Sequence, residues 1–467
     1  MAKKMTFALC FCNRGFMPGE LIYGAREDMI KAVTDAGHNY IAMDAELTRY
    51  GGVETRDEGR LYAKWLKEHE GQYDGVIFSM PIFADENGAI TALQDAGVPI
   101  LMQAYPDEIG KMDFANRRDA LCGKLALTSV FKQMNFKFTS GLPFVMHPAS
   151  ESFEKELKEF ISICRIVKGM RALRIGAFGA RTTAFKSVRY DEAALEKHGI
   201  DIESVDFSQV FAAYEKVSEK DADVKRRCEQ LHQSGDFHLA AEGADIALAR
   251  LAVTFDRMIA DMGLNAIAVR CWNELQHGLR IAPCSVLGLL NQDGIPAVCE
   301  TDVSNAVMMM ALSLAGNGPA GCLDINNNYG DELDKCILFH CGPLPIDLMI
   351  GKGEIQEHKM FVKTMGENCS WGVNVGKIRP GRITWGGGRT ENGEIQFYVE
   401  QGDITDDEIE PEFFGTPGVL YQPGLQEKLL HLSESGFRHH TLITAGNHGR
   451  AVREALGKYL NYREIKL

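Results

Sequence analysis

The sequence has no run of about 18 apolar residues, so no helix is expected to span a bilayer. It has no surplus of basic charge: 50 Lys and Arg stand against 64 Asp and Glu, a net charge of −14. Nucleic-acid phosphates need a basic face, so nucleic acid is excluded as the main partner, although a small basic pocket for an anion is not. No Cys-x-x-Cys pair occurs among the 12 cysteines, which argues against a structural zinc. Cys122, Cys284, Cys299 and Cys322 sit inside apolar runs instead and read as reduced core thiols. Low-complexity tracts and short repeats are missing too. The basic start, Met1-Ala2-Lys3-Lys4, leads into an apolar stretch at 6–12, as a signal peptide does. That stretch is short and runs into Asn13-Arg14-Gly15 without a small-residue cleavage pattern, so it reads as a first strand of a cytoplasmic protein.

What is present is a chain of 467 residues, enough for about three domains at roughly 150 residues each. Short apolar runs at 7–11, 40–43, 75–78 and 99–102 alternate with helical patterns at 20–35, 57–69 and 87–95. That alternation predicts a buried parallel sheet, whose strand tips carry ligands. After a polar helix at 152–168 the style repeats, with runs at 173–178, 202–206, 266–269 and 297–299 and helices at 240–262 and 303–314. Beyond about residue 316 Gly, Asn and Pro become frequent and β-type runs appear at 336–340, 381–384 and 395–400. Segments 383–388 and 395–401, joined across Asn392-Gly393, read as a hairpin, and a last helix is expected at 450–460. The prediction is an α/β protein. Two Rossmann-like doubly wound domains, 1–169 and 170–316, precede a β-rich α+β domain, 317–467.

Three residues share a setting suited to chemistry. Glu300 follows the apolar run ending at Cys299 and precedes Thr301-Asp302 and an Ala/Met-rich helix. Asp324 ends the run Cys322-Leu323, before Asn326-Asn327-Asn328, and His440 enters the run Thr441-Leu442-Ile443. Two carboxylates and an imidazole at strand tips suit a hard or borderline divalent cation. Plainer readings are open for each: Glu300 as a helix N-terminal charge, Asp324 as turn chemistry, His439-His440 as one surface and one core histidine, His340 as a core residue. In the strand-end loops Arg14, Ser79, Gln103, Arg181 and Lys186 are candidates to bind ligand hydroxyls or an anionic group. Trp371 and Trp385 are either side chains that stack on a ligand face or core side chains. Gly176-Ala177-Phe178-Gly179 lacks the spacing of a dinucleotide loop, and Gly386-Gly387-Gly388 reads as hairpin geometry.

The segments Cys299-Glu300-Thr301-Asp302, Leu323-Asp324 and His439-His440-Thr441-Leu442-Ile443-Thr444-Ala445-Gly446 resemble the L-fucose isomerase/L-arabinose isomerase family. The layout of two Rossmann-like units before a C-terminal domain containing a β-barrel resembles it as well. The resemblance implies a Mn²⁺ ion, with Mg²⁺ or Co²⁺ as substitutes, held by Glu300, Asp324 and His440. The arabinose branch adds a second histidine ligand, matched by His340; the fucose branch carries Asp at the second acidic position, as here. Aldose–ketose isomerisation through a cis-enediolate is implied, with Glu300 and Asp324 as the acid/base pair. A homotrimer or homohexamer is implied too, in which one subunit's first domain completes a neighbour's site. The C-terminal domain is short for the fucose branch and the N-terminal loops match neither branch. The substrate is therefore open among L-fucose, L- or D-arabinose and a sulfonated hexose such as sulfoquinovose, as shorter relatives resemble sulfoquinovose isomerases. Arg14, Arg181 or Arg189 turned to the pocket favours the anionic sugar. A non-catalytic sugar-binding protein is the alternative of another class, and a nicotinamide-dependent oxidoreductase the third.

Overall fold

The computed structural model describes residues 4–182, 184–409 and 413–467. Met1-Ala2-Lys3 of the basic start and Thr183 of the loop at 179–186 lie outside the described residues. The chain divides into two compact units, Met1–Lys168 with Glu454–Tyr459, and Gly169–Arg453 with Leu460–Leu467.

The first unit carries a four-stranded parallel sheet in the order Asn39–Ala42, Thr6–Phe11, Gly75–Met80, Ile100–Ala104. Gly75–Met80 and Ile100–Ala104 are buried along their whole length, which is why they read as unbroken apolar runs rather than alternating ones. The helix Leu21–Asp35 buries Ile22, Ala25, Met29 and Val33, one stripe at helical spacing. Arg56–Glu68 starts at a capping box in which Thr55 and Glu58 satisfy each other's backbone N–H groups. Ala120–Gln133 is a helix that sequence periodicity did not reveal. Its buried positions are Ala120, Gly123, Lys124, Leu127 and Phe131, so a glycine and a lysine interrupt the apolar stripe. Cys122 on this helix is exposed, contrary to its reading as a core thiol; Cys284, Cys299 and Cys322 are buried as expected.

In the second unit a four-stranded parallel sheet runs Ile200–Val205, Leu173–Phe178, Ala266–Val269, Ala297–Cys299. Its chain order reverses between Leu173–Phe178 and Ala266–Val269, the point where such sheets open a crevice for ligands. The helices Ala222–Ser234 and Cys284–Gln292, also unseen in the sequence, flank the long helix Ala244–Met262. A seven-stranded mixed sheet follows. Gly381–Glu391, His440–Ala445, Ala320–Asn328, Lys335–His340, Thr416–Tyr421, Glu394–Thr405 and Arg463–Glu464 pair in that order, and Glu394–Thr405 pairs again with Gly381–Glu391. The hairpin forms where it was predicted but with longer strands. Asn392 and Gly393 make its two-residue turn, at φ 53° and 76°, the left-handed pair that a hairpin's twist requires. Gly386 shows why the glycine run belongs to the sheet: a Cβ there would lie 2.5 Å from the Tyr398 carbonyl oxygen. The expected last helix is a short α-helix, Gly449–Arg453, continuing as a π-helical turn, Glu454–Tyr459. The class is thus mixed α/β: among the described residues there are two parallel sheets, the large mixed sheet and a three-stranded mixed sheet of Trp371–Val375, Gly353–Glu357 and Gly235–Asp236. Among the described residues no helix is long and apolar enough to cross a membrane.

Candidate active site

The strand Ala297–Cys299 is three residues long and fully buried, and it delivers the chain to Glu300. Glu300 and Thr301 both adopt left-handed backbone, φ 62° and 60°, an outlier for a β-branched residue. Two hydrogen bonds hold the bend, Thr301 N–H to Val269 O and Asp302 N–H to Cys299 O, each 3.2 Å. Strain of this kind costs about 1–3 kcal/mol per residue and persists where the surroundings over-determine it. Asp302 then caps the helix Val303–Gly316 by accepting from the Asn305 backbone N–H.

Sheet register supplies the partners. Asp324 and His440 are directly opposed in the antiparallel pair Ala320–Asn328 and His440–Ala445, so their side chains share a face. Asp324 is also opposed to Phe339, the neighbour of His340. His440 Nε2 lies 3.2 Å from Glu300 Oε2 and 3.6 Å from Asp324 Oδ1. Its Nδ1 donates to Asp302 Oδ2 at 2.8 Å. Arg438 donates from Nε to the same oxygen at 2.6 Å, from its terminal nitrogen to Asp302 Oδ1, and to the Gly388 carbonyl at 2.9 Å.

The electrostatics follow from that wiring. Burial alone would raise the Asp302 carboxyl, but the Arg438 charge and the hydrogen bonds from His440 and Arg438 hold it well below the usual carboxylate range. Burial alone would lower His440; the hydrogen bond to Asp302 and the Glu300 and Asp324 carboxylates beside the ring push it up to about 9. With Nδ1–H committed to Asp302, His440 turns Nε2 toward two carboxylate oxygens. His440 Nε2, Glu300 Oε2 and Asp324 Oδ1 are buried and have no hydrogen-bond partner among the described residues. Two carboxylate oxygens converging on one imidazole nitrogen favour positive charge there, and a divalent cation of hard or borderline character that replaced the Nε2 proton would find three ligand atoms, with Asp302 standing where an outer-shell carboxylate fixes a ligating imidazole.

His340 is buried nearby, and its ring joins Asp324 and His440 in one compact group of potential ligands. Its Nδ1 lies 2.9 Å from the Cys341 backbone nitrogen, from which it accepts, and 3.2 Å from Cys341 Sγ; in the neutral ring that makes this bond Nε2 carries the proton. It therefore offers a donor rather than a lone pair. His439 is half-exposed beside His440, as the reading of one surface and one core histidine anticipated, and forms a second such group with Glu300 and His440. Phe185 packs on His439 and Trp272, with ring centroids 5.8 Å and 5.1 Å apart. Phe185 and Trp272 come from the loops after Leu173–Phe178 and Ala266–Val269, at the reversal of strand order.

The other sequence candidates have contacts of their own. Arg14, Ser79 and Gln103 belong to the first unit: Arg14 donates to the Ala84 carbonyl over the Phe83 ring, and Ser79 donates to Gln103 at 2.6 Å. Arg181 donates to the Thr182 carbonyl, and Arg189 to that of Lys186. Trp371 is half-buried, bonded to Asn368, and lines a cavity of about 360 Å³ with Gln356 and Glu357. Trp385 is fully buried with its indole N–H on Gln422, hence a core residue. Asp302, Arg438, Phe185 and Trp272 were not singled out. Asp302 is accounted for by helix capping alone, which hides its second role, and nothing local marks Arg438 as its partner.

Comparison with known proteins agrees with this architecture. The profile of the fucose/sulfoquinovose isomerase N-terminal domain matches residues 8–171, and that of the L-fucose isomerase C-terminal domain matches residues 338–466. The sulfoquinovose isomerase of Priestia megaterium is 23% identical over 397 residues, covering 83% of this chain and 84% of its own. That of Alkalicoccus urumqiensis is 22% identical over 413 residues, covering 86% and 88%. A third, from a Clostridium species, is 27% identical over 285 residues, covering 59% and 60%. With both profiles in their order along the chain, the protein is a member of the fucose/sulfoquinovose isomerase family of sugar isomerases.

Proposed function

We propose that this chain is a metal-dependent aldose–ketose isomerase whose ion is held by Glu300, Asp324 and His440, with Mn²⁺ the resident ion and Mg²⁺ or Co²⁺ as substitutes. The observation that carries the reading is the meeting of three buried, unpartnered ligand atoms around His440 Nε2. Bound there, such an ion would polarise the oxygens of an open-chain sugar as a Lewis acid. The chain's own residues do the rest. One carboxylate of the pair Glu300 and Asp324 takes the proton from C2 of the aldose, leaving a cis-enediolate, and returns it to C1 of the ketose. The other carries the hydroxyl proton from O2 to O1, so no atom is gained or lost. Asp302 holds His440 in the tautomer that leaves Nε2 free, and Arg438 keeps Asp302 ionised. His340 Nε2–H donates a hydrogen bond to a sugar oxygen.

The proposed substrate is a sulfonated hexose of the sulfoquinovose type, a reading supported by the names of the relatives. Neutral fucose- and arabinose-type sugars are the competing substrates. We further propose a homotrimer or homohexamer. The test is NMR or mass-spectrometric monitoring of aldose–ketose interconversion across a sugar panel that includes a sulfosugar, with Mn²⁺ and with EDTA. Conversion that needs the ion and strongly favours the sulfosugar is expected. Glu300→Gln should cut turnover by about 10²–10⁴-fold while leaving the circular dichroism spectrum unchanged. Absence of metal-dependent conversion of every sugar would sink the activity, and conversion of neutral sugars alone would sink the substrate.

A further inference from the structure

A second group of ligand-type side chains sits on the helices Ala222–Ser234 and Ala244–Met262, elements that carry none of Glu300, Asp324 or His440. Cys228 and His232 are four residues apart and so share one helix face. Asp245, in the first turn of the other helix, brings Oδ2 to 3.4 Å from Cys228 Sγ and 3.0 Å from His232 Nε2. The three ligand atoms all lie within 4.8 Å of one another.

We propose that Cys228, His232 and Asp245 form a second metal site, for a divalent ion of borderline softness, with Zn²⁺ as the type. A tetrahedral centre with bonds of about 2.0–2.3 Å has ligand-to-ligand edges of about 3.3–3.6 Å. The two separations to Asp245 are within a few tenths of an ångström of those edges, so small side-chain adjustments admit the ion and neither helix has to move. One thiolate, one imidazole and one carboxylate favour zinc over the all-oxygen cages of Mg²⁺ or Ca²⁺. Cys228 and His232 line a cavity of about 890 Å³, together with Glu219, Asp221 and Glu229. That cavity provides an entry path and room for a water as fourth ligand. Lys220 and Lys225 line the same cavity and oppose cation entry, offset by those three carboxylates and Asp245. The absence of a Cys-x-x-Cys pair does not exclude this site, because its third ligand stands 13 residues beyond His232 on another helix. The metal-free alternative is a plain hydrogen-bonded trio in which thiol and imidazole both donate to Asp245.

The full-length protein, stripped of metal by chelation, is titrated with Co²⁺ as a spectroscopic probe. A thiolate-to-cobalt charge-transfer band that Zn²⁺ displaces is expected. Cys228→Ser should lose the band while keeping its native circular dichroism and its Mn²⁺-supported isomerase rate. Asp245→Asn should weaken Zn²⁺ binding by about tenfold or more, and it serves if the serine variant does not fold. The proposal is overturned if the wild type shows no such band, or if the band survives in Cys228→Ser and so belongs to other thiols. Since the band is read without any sugar, loss of the isomerase reading and loss of this site are distinguishable.

Discussion

Replacing Asp302 by asparagine removes one charge and changes almost no volume, so it isolates what the buried carboxylate does. Asp302 is fully buried, and each of its oxygens meets two or more donors. Oδ1 accepts from Arg438 and the Asn305 backbone N–H; Oδ2 accepts from Arg438 Nε, His440 Nδ1 and Asn305 Nδ2. An asparagine must point its NH₂ at one of these sets, so in either orientation donors face donors, and the buried Arg438 guanidinium loses its counter-charge. Breaking one side of a buried pair costs about 3–5 kcal/mol. Urea unfolding in EDTA, where no metal contributes, should therefore show Asp302→Asn less stable by that amount. Arg438→Met in the same background should cost less than it does alone, with a coupling of about 0.5–3 kcal/mol. If the amide turns its NH₂ to His440, the ring flips its tautomer and Nε2 becomes a donor. Mn²⁺ affinity, measured by calorimetry, should then fall about 10–100-fold. A variant within about 1 kcal/mol of wild type in EDTA would refute the buried pair. One that binds Mn²⁺ unchanged would refute the orienting role.

Two further outcomes follow from other parts of the chain. Lys124 is fully buried, donates to the Phe144 carbonyl at 2.6 Å, and burial lowers its pKa to about 8 against the pull of Glu156. The folded pKa lies below the unfolded one, so the full penalty is present below about pH 8 and fades as pH rises toward about 10.4, a span of about 3 kcal/mol. The stability difference between Lys124→Met and wild type should therefore swing toward wild type by a few kcal/mol between pH 7 and pH 10, read from urea midpoints. A flat difference would contradict the buried charge. Gly342 has φ 108°, and a Cβ there would lie 2.4 Å from Asn374 N. Gly342→Ala should lose about 2–3 kcal/mol and, by shifting the chain two residues from His340, lower kcat; a wild-type melting temperature would disprove the tight approach.

Part of the candidate site was legible because the ends of apolar runs are legible. The buried run ending at Cys299 and the apolar segments bearing Asp324 and His440 announce themselves by composition; Glu300 and His440 do stand at strand ends, whereas Asp324 is the middle residue of Ala320–Asn328, whose pairing continues through the asparagines that read as a turn. The helices Ala120–Gln133 and Ala222–Ser234 were not legible. One buries Lys124 and Gly123, the other buries Arg227, and such positions break the periodic apolar stripe that marks a helix. Arg227 is tolerated inside because it pairs with Asp256 and Asp293, partners that no local pattern predicts.

The sequence by itself determined the alternation of buried strands and helices, the Asn392-Gly393 turn and the acidic balance, and it marked Glu300, Asp324 and His440 one by one as candidate ligands at the ends of apolar runs. These are properties of short windows, where burial and turn chemistry leave their mark on neighbouring residues. Tertiary structure alone decided which atoms meet. Sheet register set Asp324 opposite His440, and a strained bend at Glu300 and Thr301 brought Glu300 and Asp302 to opposite nitrogens of one imidazole. Arg438 reaches Asp302 across 136 positions of chain, and Asp245 reaches Cys228 and His232 from a separate helix. Contacts of that kind arise from packing between elements. A hydrogen bond or an ion pair fixes distance in space, and it leaves no periodic trace along the chain.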